Sequence, residues 1–308
     1  MNSSLLFTMS KTKISITMED RIFIPGSEWL YFKIYTGTKT GDDILKNEVY
    51  DFVHDLRRKN IIDQWFFVRY NDPDFHLRLR LHINNTCNLN YVFELFFKKF
   101  TPLLDSGFIW NIQCDTYLRE IERYGANSIL LIENLFFLDS KFIIKLLRAL
   151  DNNGYDDERW EMSLVLIDSF FSAFSLSINQ RKEVLDYLSK SFKKEFGFTY
   201  HQMTKPLNDK YRFYRKKIDE IMLWENRTTE VINIIRARMF SINIIAEQLI
   251  ALEHVNKLQV SIRSLLESLI HMTMNRWFKS KNRQYEMVVY DFLFRYYTSK
   301  IKRIENFT

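Results

Sequence analysis

The chain has 308 residues, 46% of them hydrophobic and 27% charged, with a formal net charge of +6. That length supports one large domain or two smaller ones, and seven glycines with four prolines leave little room for long flexible linkers. The lysines and arginines are dispersed, which favours anionic partners only weakly and gives no reason to expect direct nucleic-acid binding. No apolar run reaches the roughly 18 residues of a membrane-spanning helix, so membrane insertion is not expected. The opening MNSSLLFTMSKTK lacks a charged segment followed by an apolar core, so no signal peptide is read. Cys87 and Cys114 are too few for a disulfide framework and fit reduced thiols in a cytoplasmic protein.

Residues 1–24 read as a lead-in, with Ile22, Phe23 and Ile24 docking, and Pro25-Gly26-Ser27 as a turn. Trp29 to Tyr35 alternates as a strand. Asp42 or Asp43 is placed to cap a helix to about Lys59, whose stripe uses Ile44, Leu45, Val49, Phe52, Val53 and Leu56. Two strands follow in WFFVRYNDPDFHLRLRLHI, residues 65–83, joined by the turn Asn71-Asp72-Pro73-Asp74. A second helix is expected from about Leu89 to Leu104, stopped by Gly107, and a fourth strand from Phe108 to about Tyr117. From about Ser128 the pattern is helical only, with spans expected at 128–151, 156–175, 178–195, 207–225, 229–278 and 284–304, the long one breaking near His254 to Asn256.

The order strand, helix, strand, strand, helix, strand predicts an α+β fold. A mainly antiparallel, ferredoxin-like sheet part over residues 25–127 is followed by a helical part over 128–308 packed on it, both within a single domain. The helices should cover Leu77, Leu79, Leu81 and Ile83. The other sheet face should carry Lys33, Arg69, Arg78, Arg80, Gln113, Asp115 and Arg119, and so polar a face must meet water or floor a site.

Several residues can carry chemistry. Arg78 and Arg80, flanked by His76 and His82, form a ready anion site, because a guanidinium matches a carboxylate in two parallel bonds. Glu120 and Arg123 leave the fourth strand close to them in YLREIERYG. His271 sits on a polar helix stripe with Ser264, Glu267, Ser268 and Asn275, and an imidazole can take a proton near neutral pH. There is no HExxH, no CxxC pair, no GxSxG elbow, no P-loop and no GxGxxG, so no metal or other cofactor is expected. Cys114, in a strand interior, reads as packing rather than as a nucleophile.

The runs IPGSEWLYFKIY, WFFVRYNDPDFHLRLRL, EIERYG and SLIHMTMNR, in this order, resemble the C-terminal elimination domain of class I lanthipeptide dehydratases, the nisin-type enzymes. The same domain occurs alone in thiopeptide pathways as the thiopeptide-type bacteriocin biosynthesis domain. The resemblance runs from about Phe23 to the C-terminus. It implies removal of glutamate from glutamylated Ser or Thr of a ribosomally made precursor peptide, leaving dehydroalanine or dehydrobutyrine. The partners it implies are that peptide and a separate tRNA-dependent glutamylating subunit; a homodimer is compatible with it. It assigns Arg80 and Arg123 to the glutamyl group and to elimination, His271 to proton transfer, and Arg78 and Glu120 to the surrounding substrate site, to which the polar sheet face adds Arg69. The family often shows His-x-His-x-Asn-Arg, where this chain has Thr273 in place of the second histidine. A glycine usually follows that Asn-Arg pair, where this chain continues Trp277-Phe278-Lys279.

Two other roles compete. One is pyridine-forming cycloaddition on the same scaffold, whose enzymes tend to lose the glutamate-gripping residues. The other is a non-catalytic module that binds a precursor peptide by strand addition at a sheet edge.

Overall fold

A computed structural model describes residues 21–151, 159–197, 200–224 and 228–306. Most of the expected lead-in lies outside the described residues. At its end β1 (Ile22–Phe23) pairs antiparallel with a later short strand, burying Phe23 and leaving Ile22 and Ile24 exposed.

The sheet part forms as the alternation requires. β2 (Trp29–Thr36) leads into α1 (Thr40–Ile44), a π-helical turn (Leu45–Val49) and α2 (Tyr50–Arg58). Next come β3 (Ile62–Asn71), β4 (Phe75–Ile83), α3 (Leu89–Asp105) and β5 (Ile109–Asp115). The four-stranded sheet has the order β3-β4-β2-β5 with every pair antiparallel, the arrangement of a ferredoxin-like unit. Leu77, Leu79 and Leu81 of β4 are fully buried beneath α2 and α3, where Phe32, Phe52, Phe96 and Phe100 form a continuous run of ring contacts. Asp42 does not cap a helix as expected: it lies inside α1 and is buried.

β6 (Tyr117–Leu118) and α4 (Ile121–Tyr124) lead to the helical part. This consists of α5 (Ile129–Asp151), α6 (Arg159–Ala173), α7 (Ile178–Glu195), α8 (Tyr200–Met222), α9 (Thr229–His254), α10 (Ile262–Trp277) and α11 (Asn282–Glu305). The expected break after His254 is present: Asn256 adopts a left-handed φ of 51°, and the Ser261 side chain caps α10. α8 begins before Pro206 rather than after it.

The two parts are joined along one strand. β3 is a sheet edge, and an edge leaves backbone donors and acceptors unpaired. Here side chains complete them. Phe67 N–H donates to Ser140 Oγ of α5, Arg69 N–H donates to Asn275 Oδ1, and Asn275 Nδ2 returns a bond to Arg69 O. Arg276 Nε donates to Phe67 O. Asn275 and Arg276 are consecutive residues of α10, so that helix is held in register against β3.

Register also corrects the expected position of Arg69. It pairs across from Leu77 and therefore lies on the helix-covered face, not on the polar one. Its guanidinium is buried, donating from NH2 to Asp42 Oδ1 at 2.6 Å and from Nε to Arg276 O at 2.9 Å. Arg159 also bonds Asp42, and Lys279 Nζ lies 3.7 Å from it. Burial raises the Asp42 pKa, but the charges of Arg69, Arg159 and Lys279 outweigh it and hold the carboxyl below its ordinary value. The stabilisation is therefore present above the unfolded aspartate pKa, near ~3.9, and is lost as pH falls through the lower folded value. Asp42→Asn should cost about 3 kcal/mol at neutral pH, because it strands buried guanidinium charge. In urea denaturation, the gap between wild type and variant should close below about pH 4.

Arg119 also departs from the polar face. It forms a buried two-point pair with Glu133, at 2.7 Å from Nε and 2.7 Å from NH2. Cys114 is exposed rather than packed, because β5 is the other sheet edge and Trp110 beside it is about half exposed as well. Among the described residues no helix is long and apolar enough to cross a membrane, and no group of three metal-ligating side chains is found.

Candidate functional site

The polar face of the sheet floors a cleft whose far wall is α10. β3 contributes Phe66, Val68 and Tyr70; β4 contributes Arg78 and Arg80. Tyr117, Glu120, Arg123 and Tyr124 come from the β6–α4 region, and His271, Met272 and Asn275 from α10. The cavity is small, about 170 Å³. Arg78, Arg80, Glu120, Arg123 and His271 thus meet in one place from positions up to 193 residues apart in the chain. Arg69 is absent from this lining but lines the wider groove that adjoins it.

Arg80 is the distinctive group. Its guanidinium carbon lies 4.5 Å from the Tyr31 ring centroid, 4.9 Å from Tyr117 and 5.2 Å from Phe66. Three rings hold the cation in place. Among the described residues no carboxylate pairs with it, and its buried Nε has no hydrogen-bond partner. Tyr117 is itself fixed by a hydroxyl bond to Glu133 at 2.7 Å, the carboxylate that Arg119 grips. The buried Arg119–Glu133 pair therefore steadies the cage around Arg80.

The other arginines are anchored differently. Arg78 stacks 3.4 Å from the Tyr70 centroid and donates from Nε to His76 Nε2 at 3.1 Å. Arg123 donates to Ser268 Oγ of α10 at 3.3 Å and to Glu120 Oε2 at 3.4 Å. Glu120 is mostly exposed, so that contact is loose and solvent-screened. The Tyr124 hydroxyl is buried without a partner, and burial pushes its pKa up to about 12 against the opposing charge of Arg123.

His271 Nδ1 faces the fully buried Glu286 of α11, 3.0 Å from Oε2 and 3.1 Å from Oε1. Glu286 also accepts from Tyr290 Oη at 2.9 Å and Asn282 Nδ2 at 3.2 Å. Arg283 NH1 lies 3.3 Å from the same His271 nitrogen, but the carboxylate is nearer. Placing the proton on Nδ1, donated to Glu286, leaves Nε2 as an acceptor, the tautomer a proton-accepting histidine needs, on a residue that lines the cavity. Glu286 was not singled out in the sequence. Its signal was an acidic residue on the apolar stripe Glu286-Tyr290-Leu293-Tyr297 of α11, where only a partnered carboxylate is tolerated.

Thr273 faces away from the cleft. It is fully buried and donates to Asp139 Oδ2 at 2.8 Å, so the second position of the His-x-His pattern belongs here to an interior polar cluster. Beyond His271 lies a wider groove of about 470 Å³. It shares Tyr70, His271 and Asn275 with the cleft and is lined further by Asn71, Lys279 and Arg283.

Comparison with known proteins agrees with this architecture. The sequence profile described as "Lantibiotic biosynthesis dehydratase C-term" matches residues 29–297. Subtilin biosynthesis protein SpaB of Bacillus subtilis is 28% identical over 181 residues, covering 58% of this chain and 17% of SpaB. Nisin biosynthesis protein NisB of Lactococcus lactis subsp. lactis is 25% identical over 284 residues, covering 86% of this chain and 27% of NisB. The chain therefore spans no more than 27% of the length of these curated relatives. The crystal structure of the tRNA-dependent lantibiotic dehydratase MibB from Microbispora sp. 107891 superposes with a TM-score of 0.72 at 18% identity, over 90% of this chain and 28% of that one. TsrL matches with a TM-score of 0.66 at 12% identity, over 89% of this chain and 95% of that one. The pyridine synthase TbtD from thiomuracin biosynthesis matches at 0.64 and 12%, over 88% and 99%. At these identities the structures show the shared fold.

Fold and sequence together define a dehydratase-type C-terminal domain of a biosynthetic enzyme family. The chain belongs to the lantibiotic biosynthesis dehydratase C-terminal family.

Proposed function

We propose that this domain eliminates glutamate from glutamylated Ser or Thr residues of a precursor peptide, as the lyase half of a split dehydratase. The glutamyl ester would be supplied by a separate tRNA-dependent subunit. The observation that carries the reading is Arg80: a guanidinium caged by three rings, with a buried unpartnered Nε and no carboxylate partner among the described residues, in the same small cavity as His271.

The step balances as follows. His271 Nε2 takes the α-proton of the esterified residue, and that electron pair forms the Cα=Cβ bond. The Cβ–O bond breaks, and glutamate departs with the bonding pair on its carboxylate. Arg80 and Arg123 bind the glutamyl group and meet the leaving charge; this raises the rate only as far as the interaction strengthens in the transition state. Arg78 and Glu120 complete the polar lining, and Arg69, on the wall of the adjoining groove, holds β3 to α10. A cavity of about 170 Å³ suits one aminoacyl group, being smaller than the roughly 300–1,000 Å³ of ordinary ligand pockets. The peptide then runs out along the groove past Tyr70 and Asn275. The cycloaddition role of the similarly folded TbtD leaves the unpaired Arg80 charge without a counterpart.

The test is mass spectrometry of a peptide carrying a glutamylated Ser, incubated with the protein. Wild type should release glutamate and leave the dehydrated peptide, while Arg80→Ala should lose about tenfold to a hundredfold in kcat/KM. Full activity of a folded Arg80→Ala variant would remove Arg80 from the mechanism. No release by wild type, with the glutamylating partner also supplied, would sink the elimination reading.

A further inference from the structure

On the opposite side of β3 from the cleft lies a second cavity, of about 470 Å³, that shares no lining residue with the proposed active site or its groove. Its floor is aromatic and apolar: Tyr50 and Val53 of α2, Trp65 of β3 and Phe137 of α5. Its rim is basic: His54, Arg57 and Arg58 from α2, Lys141 and Lys145 from α5. No acidic side chain is among the described lining residues.

These charges are not neutralised by the protein. Among the described residues no carboxylate pairs with Arg58, Lys141 or Lys145, and Arg57 donates only to a neutral acceptor, the Asp63 carbonyl. Lys141 and Lys145 stand four apart on α5, a like-charge spacing that destabilises a helix. Burial, together with the charges of Lys145 and Arg57, lowers the Lys141 pKa. The arrangement is thus costly when empty and relieved by a multivalent anion. The rings give the ligand a second character. His54 lies nearly parallel to Tyr50, with centroids 6.0 Å apart at 17°, and presents an aromatic face at the rim. Arg57 lies 4.6 Å from the Phe137 centroid, a planar cation laid on an aromatic wall.

We infer that this cavity binds a nucleotide, its phosphates held by Arg57, Arg58, Lys141 and Lys145 and its base stacked on the exposed ring of His54, which Tyr50, itself covered by Arg148, backs from behind. A single carboxylate would leave most of the rim charge unmet, whereas a polyphosphate or a phosphodiester end meets several cations at once. The same chemistry is offered by a free nucleoside phosphate and by the end of an RNA strand.

Isothermal titration of the full chain with ATP, pyrophosphate, a short single-stranded RNA and an acidic peptide separates the cases. ATP or the RNA should bind more tightly than pyrophosphate. Lys141→Gln/Lys145→Gln should weaken that binding by about tenfold or more, and His54→Ala should narrow the advantage over pyrophosphate. RNA binding tighter than ATP assigns the nucleotide to a strand end; equal or weaker RNA binding assigns it to a free nucleotide. The double lysine variant should keep the wild-type elimination rate and a Tm no lower than wild type, since it removes like-charge repulsion. Pyrophosphate or the acidic peptide binding as well as ATP would overturn the inference, as would absence of nucleotide binding at millimolar concentration.

Discussion

His271→Ala should leave glutamylated peptide accumulating, with the elimination rate down by about 10²- to 10⁴-fold, the usual worth of a positioned acid–base group. The expectation rests on geometry. His271 is the imidazole in the cavity that also holds Arg80, and Glu286 takes its Nδ1. The variant should still bind, because the guanidinium grip on the glutamyl group is untouched; the loss belongs in kcat rather than in KM. Glu286→Gln supplies the companion result. It keeps the shape behind the imidazole but removes the charge that steadies a protonated ring, so it should lower kcat in the same sense and by less, with KM near wild type. Single-turnover mass spectrometry on glutamylated peptide reads both. A His271→Ala variant that dehydrates fully, or a Glu286→Gln variant changed only in KM, would take the proton-transfer role away from this pair.

The His271–Glu286 pair also marks where sequence reading stops. The strands around HLRLRLH were legible because their period is two and the polar and apolar sets separate cleanly, which placed Arg78 and Arg80 together on one face. Both sheet-part helices were legible from local periodicity, and the break after His254 from a span too long for one helix. What was not legible depends on long-range pairing. As a charged residue Arg69 is expected on the polar face, yet it alternates in step with Trp65 and Phe67 of the apolar face, and its register against Leu77 decides the matter. Its guanidinium is then consumed by Asp42, 27 residues away, and by the carbonyl of Arg276, 207 residues away. Asp42 looks like a cap because caps are local and common, yet it lies within α1 and is buried against three basic partners distant in the chain. Glu286 sat on an apolar stripe, but nothing local says which buried group it serves.

The interior cluster behind the cleft carries the largest stability effect. Asp139 of α5 is fully buried and serves two buried arginines at once. Arg238 of α9 bonds its Oδ1 at 2.8 and 3.0 Å from NH2 and Nε, and Arg276 of α10 lies 3.2 Å from its Oδ2. Thr273 adds a hydroxyl bond to Oδ2, Arg238 NH1 donates to Ser169 Oγ of α6, and Arg276 Nε reaches back to Phe67 O of β3. The cluster therefore ties four helices to the edge strand, and its net charge is +1 around a single carboxylate. Asp139→Asn should cost about 5 kcal/mol, the upper end for stranding a buried charge, because two guanidiniums lose their counter-ion together. That is comparable to the whole stability of a typical domain, so the variant should be largely unfolded or much lower in Tm. The sign of a second change separates electrostatics from lost packing. Adding Arg238→Met to Asp139→Asn removes one of the two stranded charges, so the double variant should be more stable than Asp139→Asn alone. Urea denaturation of wild type, both single variants and the double variant measures this coupling. Additive losses would mean that shape rather than charge governs the cluster.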